Sequence, residues 1–207
     1  MKKHCVLGGS VSLMSQPPHI ATIILAAGAS TRLGAPKQLL PYQGTTFLRR
    51  TVDTVLLSQA KSFHVVLGFN AEIMKLEIAS LPINIVINPD WRSGISTSLH
   101  AGIQSLEPTI DAAIIVLCDQ PELSTDILNR LISTYTSTRA PIVTCKYAGT
   151  VGVPALFDRR MFPELLSLEG DHGAKTLIER YTKKRIEIDF SGGAIDIDTV
   201  ADQGQLR

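Results

Sequence analysis

Six short apolar runs, at 22–26, 63–67, 83–87, 112–117, 141–145 and 185–188, punctuate the chain, each about the length of a buried strand. Between them the apolar positions change period. Phe47, Leu48, Val52, Val55 and Leu56 fall on one helical face, as do Ile95, Leu99, Ile103 and Leu106. Ile127, Leu128, Leu131, Ile132 and Tyr135 make a third stripe, with Ser124 placed to cap it. Strands alternating with helices imply right-handed crossovers. The expected fold is α/β: a Rossmann-like three-layer sandwich, a mostly parallel sheet with helices on both faces. The stretch 152–173 departs from this alternation and is expected to be an inserted subregion over the site.

In such sheets ligands gather at the carboxyl ends of the strands, so segments 27–37, 88–98 and 118–121 are expected to converge there. The first is the most distinctive. An apolar run ending at Leu25 empties into Ala26-Ala27-Gly28-Ala29-Ser30-Thr31-Arg32-Leu33-Gly34-Ala35-Pro36-Lys37. Small side chains let backbone N–H groups approach anionic oxygens, and Arg32 and Lys37 add the charge that amides lack. The chemistry is that of a polyphosphate cradle, yet the spacing matches neither familiar loop. Gly28 and Gly34 are six apart with Gln38 after the lysine, unlike G-x-x-x-x-G-K-[ST]. Ser30 stands at the second glycine of G-x-G-x-x-G.

Composition narrows the field. With 207 residues, 44% of them hydrophobic, the chain suits one α/β domain with a sizeable core. A formal net charge of +1 gives no broad field for nucleic acid or an anionic membrane, so affinity for phosphate has to be local. Cys5, Cys118 and Cys145 are odd in number and contain no C-x-x-C pair. That argues against a disulfide scaffold or structural zinc and fits a cytoplasmic protein. No apolar run reaches the ~18 residues of a membrane span. Residues 1–19 begin basic, but Gly8, Gly9 and serines break their apolar stretch. They are expected to form a disordered leader, with Met14 an alternative start, ahead of a single domain over 20–207.

The loop L-A-A-G-x-x-x-R-x-G-x-x-K resembles the signature of nucleotidyltransferases that move an NMP group from an NTP to a phosphate acceptor. Later come Asn88-Pro89-Asp90-Trp91 with Gly94 and Ser98-Leu99, then Leu117-Cys118-Asp119-Gln120-Pro121. Gly152-Val153-Pro154-Ala155-Leu156-Phe157, Gly170-Asp171-His172-Gly173-Ala174 and Asp196-Ile197-Asp198-Thr199 follow. In that order these segments are similar to the molybdenum cofactor cytidylyltransferase group. The resemblance implies a nucleotide-diphospho-sugar transferase type of fold and a Mg2+ (or Mn2+) ion. It also implies transfer of CMP from CTP to the terminal phosphate of molybdopterin, with pyrophosphate released and a molybdenum hydroxylase receiving the product. The base rests on resemblance alone: related guanylyltransferases read L-A-G-G where this chain reads Leu25-Ala26-Ala27-Gly28. Use of GTP, transfer to a sugar or polyol phosphate, and a non-catalytic nucleotide or cofactor carrier stand as alternatives.

Such a transfer asks little covalent work of the protein, so positioning and charge dominate. Arg32 suits a fork onto phosphate oxygens and Lys37 a point charge on the phosphates or the developing pentacovalent centre, which makes them catalytic candidates with Asp119. Asp119 follows the 112–117 run and precedes Pro121, and reads as a metal ligand or as a turn carboxylate. Asp198 is a second metal candidate by resemblance and equally a helix cap, with Asp171 as rival. Leu25, Ala26, Ala27, Gly28, Asn88, Gly94 and Ser98 are expected nucleotide contacts, and Gly94 and Ser96 offer helix N-terminal amides to an anion. Trp91 reads as a stacking platform or as cover for the core edge. Gly152, Pro154, Asp171, His172 and Lys175 resemble the acceptor-binding segments. One departure is notable: arginine often follows the G-D-x-G-A unit, whereas Lys175 keeps the charge without the fork. The five histidines show no metal-ligand spacing.

Overall fold

Alternate residues of β1 (Ile20–Ala26) face opposite ways, and both sides are apolar. Ile20, Ile24 and Ala26 join one core, Ile23 and Leu25 another. Such a strand belongs in the middle of a sheet, and β1 lies there in the computed structural model, which describes residues 16–29 and 36–194. A two-stranded hairpin follows, β2 (Pro41–Tyr42) and β3 (Thr45–Thr46), then α1 (Phe47–Leu56) and β4 (Ser62–Leu67). Next come α2 (Ala71–Ile78), β5 (Asn84–Ile87), α3 (Ile95–Gln104), β6 (Ala112–Leu117) and α4 (Thr125–Thr138). The last elements are β7 (Ile142–Tyr147), β8 (Thr150–Asp158), α5 (Phe162–Leu166), α6 (Ala174–Arg180) and β9 (Arg185–Asp189).

Seven strands form one sheet in the order β5-β4-β1-β6-β8-β7-β9. Only β8 runs antiparallel to its neighbours. Phe47, Leu48 and Val52 of α1, Met74 and Ile78 of α2, and Leu128 and Leu131 of α4 fill the core on one face. Leu99 and Ile103 of α3, Leu165 of α5, and Leu177 and Ile178 of α6 fill the other. The architecture is the expected Rossmann-like three-layer sandwich.

Local signals explain where the helices start. Thr46 caps α1, its hydroxyl accepting from the Arg49 amide at 3.1 Å, and Ser124 caps α4 by accepting from Ile127 at 3.4 Å. The five apolar residues of the α4 stripe are all buried, each contributing roughly 1.5–3 kcal/mol. By contrast, α2 has no counterpart among the expected helices. Ile73 and Leu76 face solvent while Met74 and Ile78 are buried, so apolar residues on both sides mask its stripe.

The stretch 152–173 is not an insertion. It opens with most of β8, a nine-residue strand inside the sheet, and continues into α5. Gly152 and Pro154 hide the strand in the sequence, but the ladders avoid both difficulties. Pairing with β6 runs from Asp158 to Ala155 and stops short of Pro154. On the other side the register shifts between Thr144 and Cys145, passing from Ala155 directly to Gly152. Pro154, lacking an N–H, sits where neither ladder asks for one. Most of the expected leader, 1–15, lies outside the described residues. Of its end, Pro18 is buried and the His19 amide donates to Asp111 Oδ2 at 2.8 Å. Among the described residues no helix is long and apolar enough to cross a membrane.

Candidate functional site

The chain runs from β1 outward to β4 and β5, then returns to place β6 on the other side of β1. A crevice at the carboxyl ends of these strands is where doubly wound sheets bind ligands. A cavity of about 570 Å³ opens there. Leu25, Ala27, Gly28 and Ala29 line it from the end of β1, with Lys37 and Gln38 beyond them, and Leu117, Cys118 and Asp119 from the end of β6. Trp91, Arg92, Gly94, Ile95 and Ser98 line it from the β5–α3 junction, and Asp171 from the segment before α6. The three segments expected to converge do so.

Asp119 and Lys37 form an ion pair, their side chains 16% and 21% exposed. The lysine reaches Oδ2. Oδ1 is buried and has no hydrogen-bond partner among the described residues, a state that costs roughly 1–3 kcal/mol. Cys118 beside it is no nucleophile: burial, then the Asp119 charge, push its thiol up to about 12. Asp119 and Asp171 are the carboxylates on the cavity wall, and no three His, Cys, Asp or Glu side chains among the described residues gather for a metal. The donor set therefore fits an ion that keeps waters and shares one or two carboxylates with substrate phosphates. Asp119 Oδ1 is the oxygen such an ion would take. Asp198 and Arg32 lie outside the described residues.

A Cβ built on Gly28 meets no described residue within 4 Å, which leaves the backbone there open to close approach on that side. Ala26 is buried in the opposite core and contributes only its carbonyl, held by Gln38. Asn88 is 3% exposed and braces the site from behind. Its Nδ2 donates to Thr97 Oγ1 and Ser98 Oγ, both at 2.9 Å, while Oδ1 accepts from the Asp90 amide at 3.0 Å.

The start of α3 is not the open anion site expected of it. The Ser96 amide donates to the Gly170 carbonyl at 3.1 Å and the Thr97 amide to the Gly94 carbonyl at 3.2 Å. Gly94 has φ +106°, and a Cβ on it would lie 2.2 Å from the Gly170 carbonyl oxygen. It is the lack of a side chain that lets the Gly170–Asp171 turn dock and bring Asp171 to the cavity.

The remaining acceptor candidates do not gather there. Gly152 and Pro154 are buried within β8, and a Cβ on Gly152 would strike the Tyr147 hydroxyl at 2.4 Å. His172 and Lys175 are exposed, outside the residues that line the cavity. Trp91 does not offer an open ring. Phe69 meets it edge-on at 5.5 Å between centroids, and the Arg92 guanidinium lies 4.2 Å from its centroid. Arg92 and Gln38 are wall residues that sequence reasoning did not single out. The signal for each was adjacency, to Trp91 and to Lys37.

Residues 22–186 match the family described as MobA-like NTP transferase domain. The chain is 31% identical to nicotine blue oxidoreductase of Paenarthrobacter nicotinovorans over 203 residues, covering 91% of this chain and 97% of that one. It is 29% identical to the purine catabolism protein PucB of Bacillus subtilis over 203 residues, covering 92% and 97%. Among solved structures, Rv0371c of Mycobacterium tuberculosis superposes with a TM-score of 0.82 at 32% identity, over 92% of this chain and 98% of that one. Its complex with manganese gives 0.78 at 31%, over 91% and 97%.

Proposed function

The chain belongs to the MobA-like NTP transferase family and is a nucleotidyltransferase, and from that premise we propose that it moves CMP from CTP to the terminal phosphate of molybdopterin. The observation that carries the proposal is Asp119 on the wall of the small-residue loop's cavity, paired with Lys37 through Oδ2, its buried Oδ1 without a hydrogen-bond partner among the described residues. An acceptor phosphate oxygen forms a bond to the α-phosphorus while the bond to the β-phosphate bridging oxygen breaks, its electron pair leaving on pyrophosphate. Asp119 and the substrate's phosphate oxygens would hold Mg2+ or Mn2+, which when bound supplies charge neutralisation. The manganese complex of Rv0371c supports such an ion. Lys37 neutralises charge at the phosphates, and Arg32 is assigned the same task. The backbone at Gly28 admits the triphosphate closely. Ala27 lines the cavity where L-A-G-G sequences carry glycine, which favours the smaller pyrimidine.

The proposed contacts to the nucleotide are Leu25, Ala27, Gly28, Gly94 and Ser98, with Asn88 bracing them. Asp171 is the acceptor-side residue at the cavity, and a molybdenum hydroxylase the proposed recipient of the product. The test is pyrophosphate release by purified protein with molybdopterin and Mg2+, comparing CTP, GTP, ATP and UTP. Release with CTP that depends on molybdopterin is expected. Release with GTP alone overturns the base, and CTP binding without release from any nucleotide favours a carrier.

A further inference from the structure

Among the described residues, Gln38 ties together the turn that leaves β1. Gln38 is 2% exposed, and its Nε2 donates to the Ala26 carbonyl at 3.0 Å and to the Gly28 carbonyl at 2.8 Å. Between them the Ala27 carbonyl accepts from the Phe69 amide at 3.0 Å. All three carbonyls of the turn leaving β1 are therefore held. In a trans peptide the C=O and the following N–H point opposite ways, so the Gln38 tether turns the amides of Ala27 and Ala29 away from itself.

The carboxamide has one orientation open to it, because reversal would set Oε1 against two carbonyl oxygens. Oε1 is consequently buried with no partner among the described residues. An apolar side chain of equal length would fill the space without that defect, so packing alone does not account for a glutamine. Its neighbour supplies a reason. Lys37 precedes it in the same turn of 3-10 helix and reaches Asp119. One buried side chain thus fixes both the loop backbone and the root of the lysine.

We propose that Gln38 is the positioning residue of the nucleotide site, clamping the 26–29 turn so that its amides meet the triphosphate and setting Lys37 against Asp119. It acts through these groups and does not touch the reacting atoms. The inference rests on the nucleotidyltransferase reading but not on the identity of the base. Gln38→Met keeps the length and removes both donors. Calorimetric titration with an α,β-methylene analogue of CTP in Mg2+, a thermal melt and steady-state pyrophosphate release test it together.

Nucleotide Kd and KM should rise about tenfold or more for two lost hydrogen bonds, while acceptor KM stays within about threefold. The melting temperature should fall by no more than about 8 °C for two lost hydrogen bonds. Gln38→Glu, which sets an anion against the same carbonyls, should bind nucleotide more weakly still. Unchanged nucleotide affinity in Gln38→Met, an equal rise in acceptor KM, or loss of folding would each overturn the proposal. A wild type that takes the GTP analogue instead overturns only the choice of CTP, and Gln38 is then judged on GTP. A wild type that binds no nucleotide overturns both.

Discussion

Replacing Gly94 with alanine tests whether the Gly170–Asp171 turn really depends on a bare backbone. At φ +106° and ψ 167° Gly94 occupies a region that side chains avoid at a cost of about 1–3 kcal/mol. The added Cβ would lie 2.2 Å from the Gly170 oxygen, 2.3 Å from its carbonyl carbon and 2.9 Å from the Asp171 nitrogen, all backbone atoms. Forcing them apart adds about 1–3 kcal/mol, and the Ser96–Gly170 hydrogen bond is lost for about 1 kcal/mol more. At about 2–4 °C per kcal/mol for a chain of this size, melting should fall by at least about 6 °C. Acceptor KM should rise as Asp171 is displaced. Gly170→Ala is the control: its φ is +58°, and a Cβ there meets nothing within 4 Å. A net cost of about 1 kcal/mol, or about 2–4 °C, is expected for it. If Gly94→Ala melts within about 3 °C of wild type, or no lower than Gly170→Ala, the tight docking is refuted.

Asp119→Asn should lower turnover by about a hundredfold or more with the fold retained; unchanged turnover would remove Asp119 from the chemistry. Lys37→Ala should cost turnover more than stability, since a partly exposed pair contributes at most about 1 kcal/mol; a collapse in melting temperature would make the lysine structural. His64 is buried between the Ser62 and Ser105 hydroxyls, at 2.8 Å and 2.9 Å, and burial holds its pKa below the usual 6.5 against the opposing Glu107 charge. The unfolded chain then protonates first, so this stability is whole above about pH 6.5 and lost as pH falls from there towards the folded pKa. Urea midpoints should drop between pH 7.5 and pH 5, less steeply in His64→Gln, and a midpoint that rises on acidification contradicts the sign. Lys175→Arg should preserve or lower acceptor KM if that position reads phosphate, and a raised KM would count against it.

The parallel half of the sheet was legible because β6 reads as an unbroken apolar run and β1 and β4 are broken only by single buried polar residues, Thr22 and His64. The convergence of their carboxyl ends followed from topology alone. β8 was not legible, since Gly152 and Pro154 look like loop residues unless the register shift at Thr144 and Cys145 is known. The loop's cations stood out by composition, but the role of Gln38 did not. A glutamine that donates to two carbonyls of its own loop leaves no periodic trace. Nor does the sequence tell that the Ser96 amide is taken by Gly170, because that bond joins segments with no local relation.

That same bond orders the making of the protein in time. β1, β4, β5 and β6 come from one continuous stretch, so the parallel half can assemble while the rest of the chain is still being translated. Gly170 follows Gly94 by 76 residues, about 4–15 s of synthesis at roughly 5–20 residues per second. Until Gly170 is made the first turn of α3 has no carbonyl over Ser96, while β6 and Asp119, and then β8, are completed within that interval. On the ribosome, the half that carries the small-residue loop therefore precedes the turn that carries Asp171.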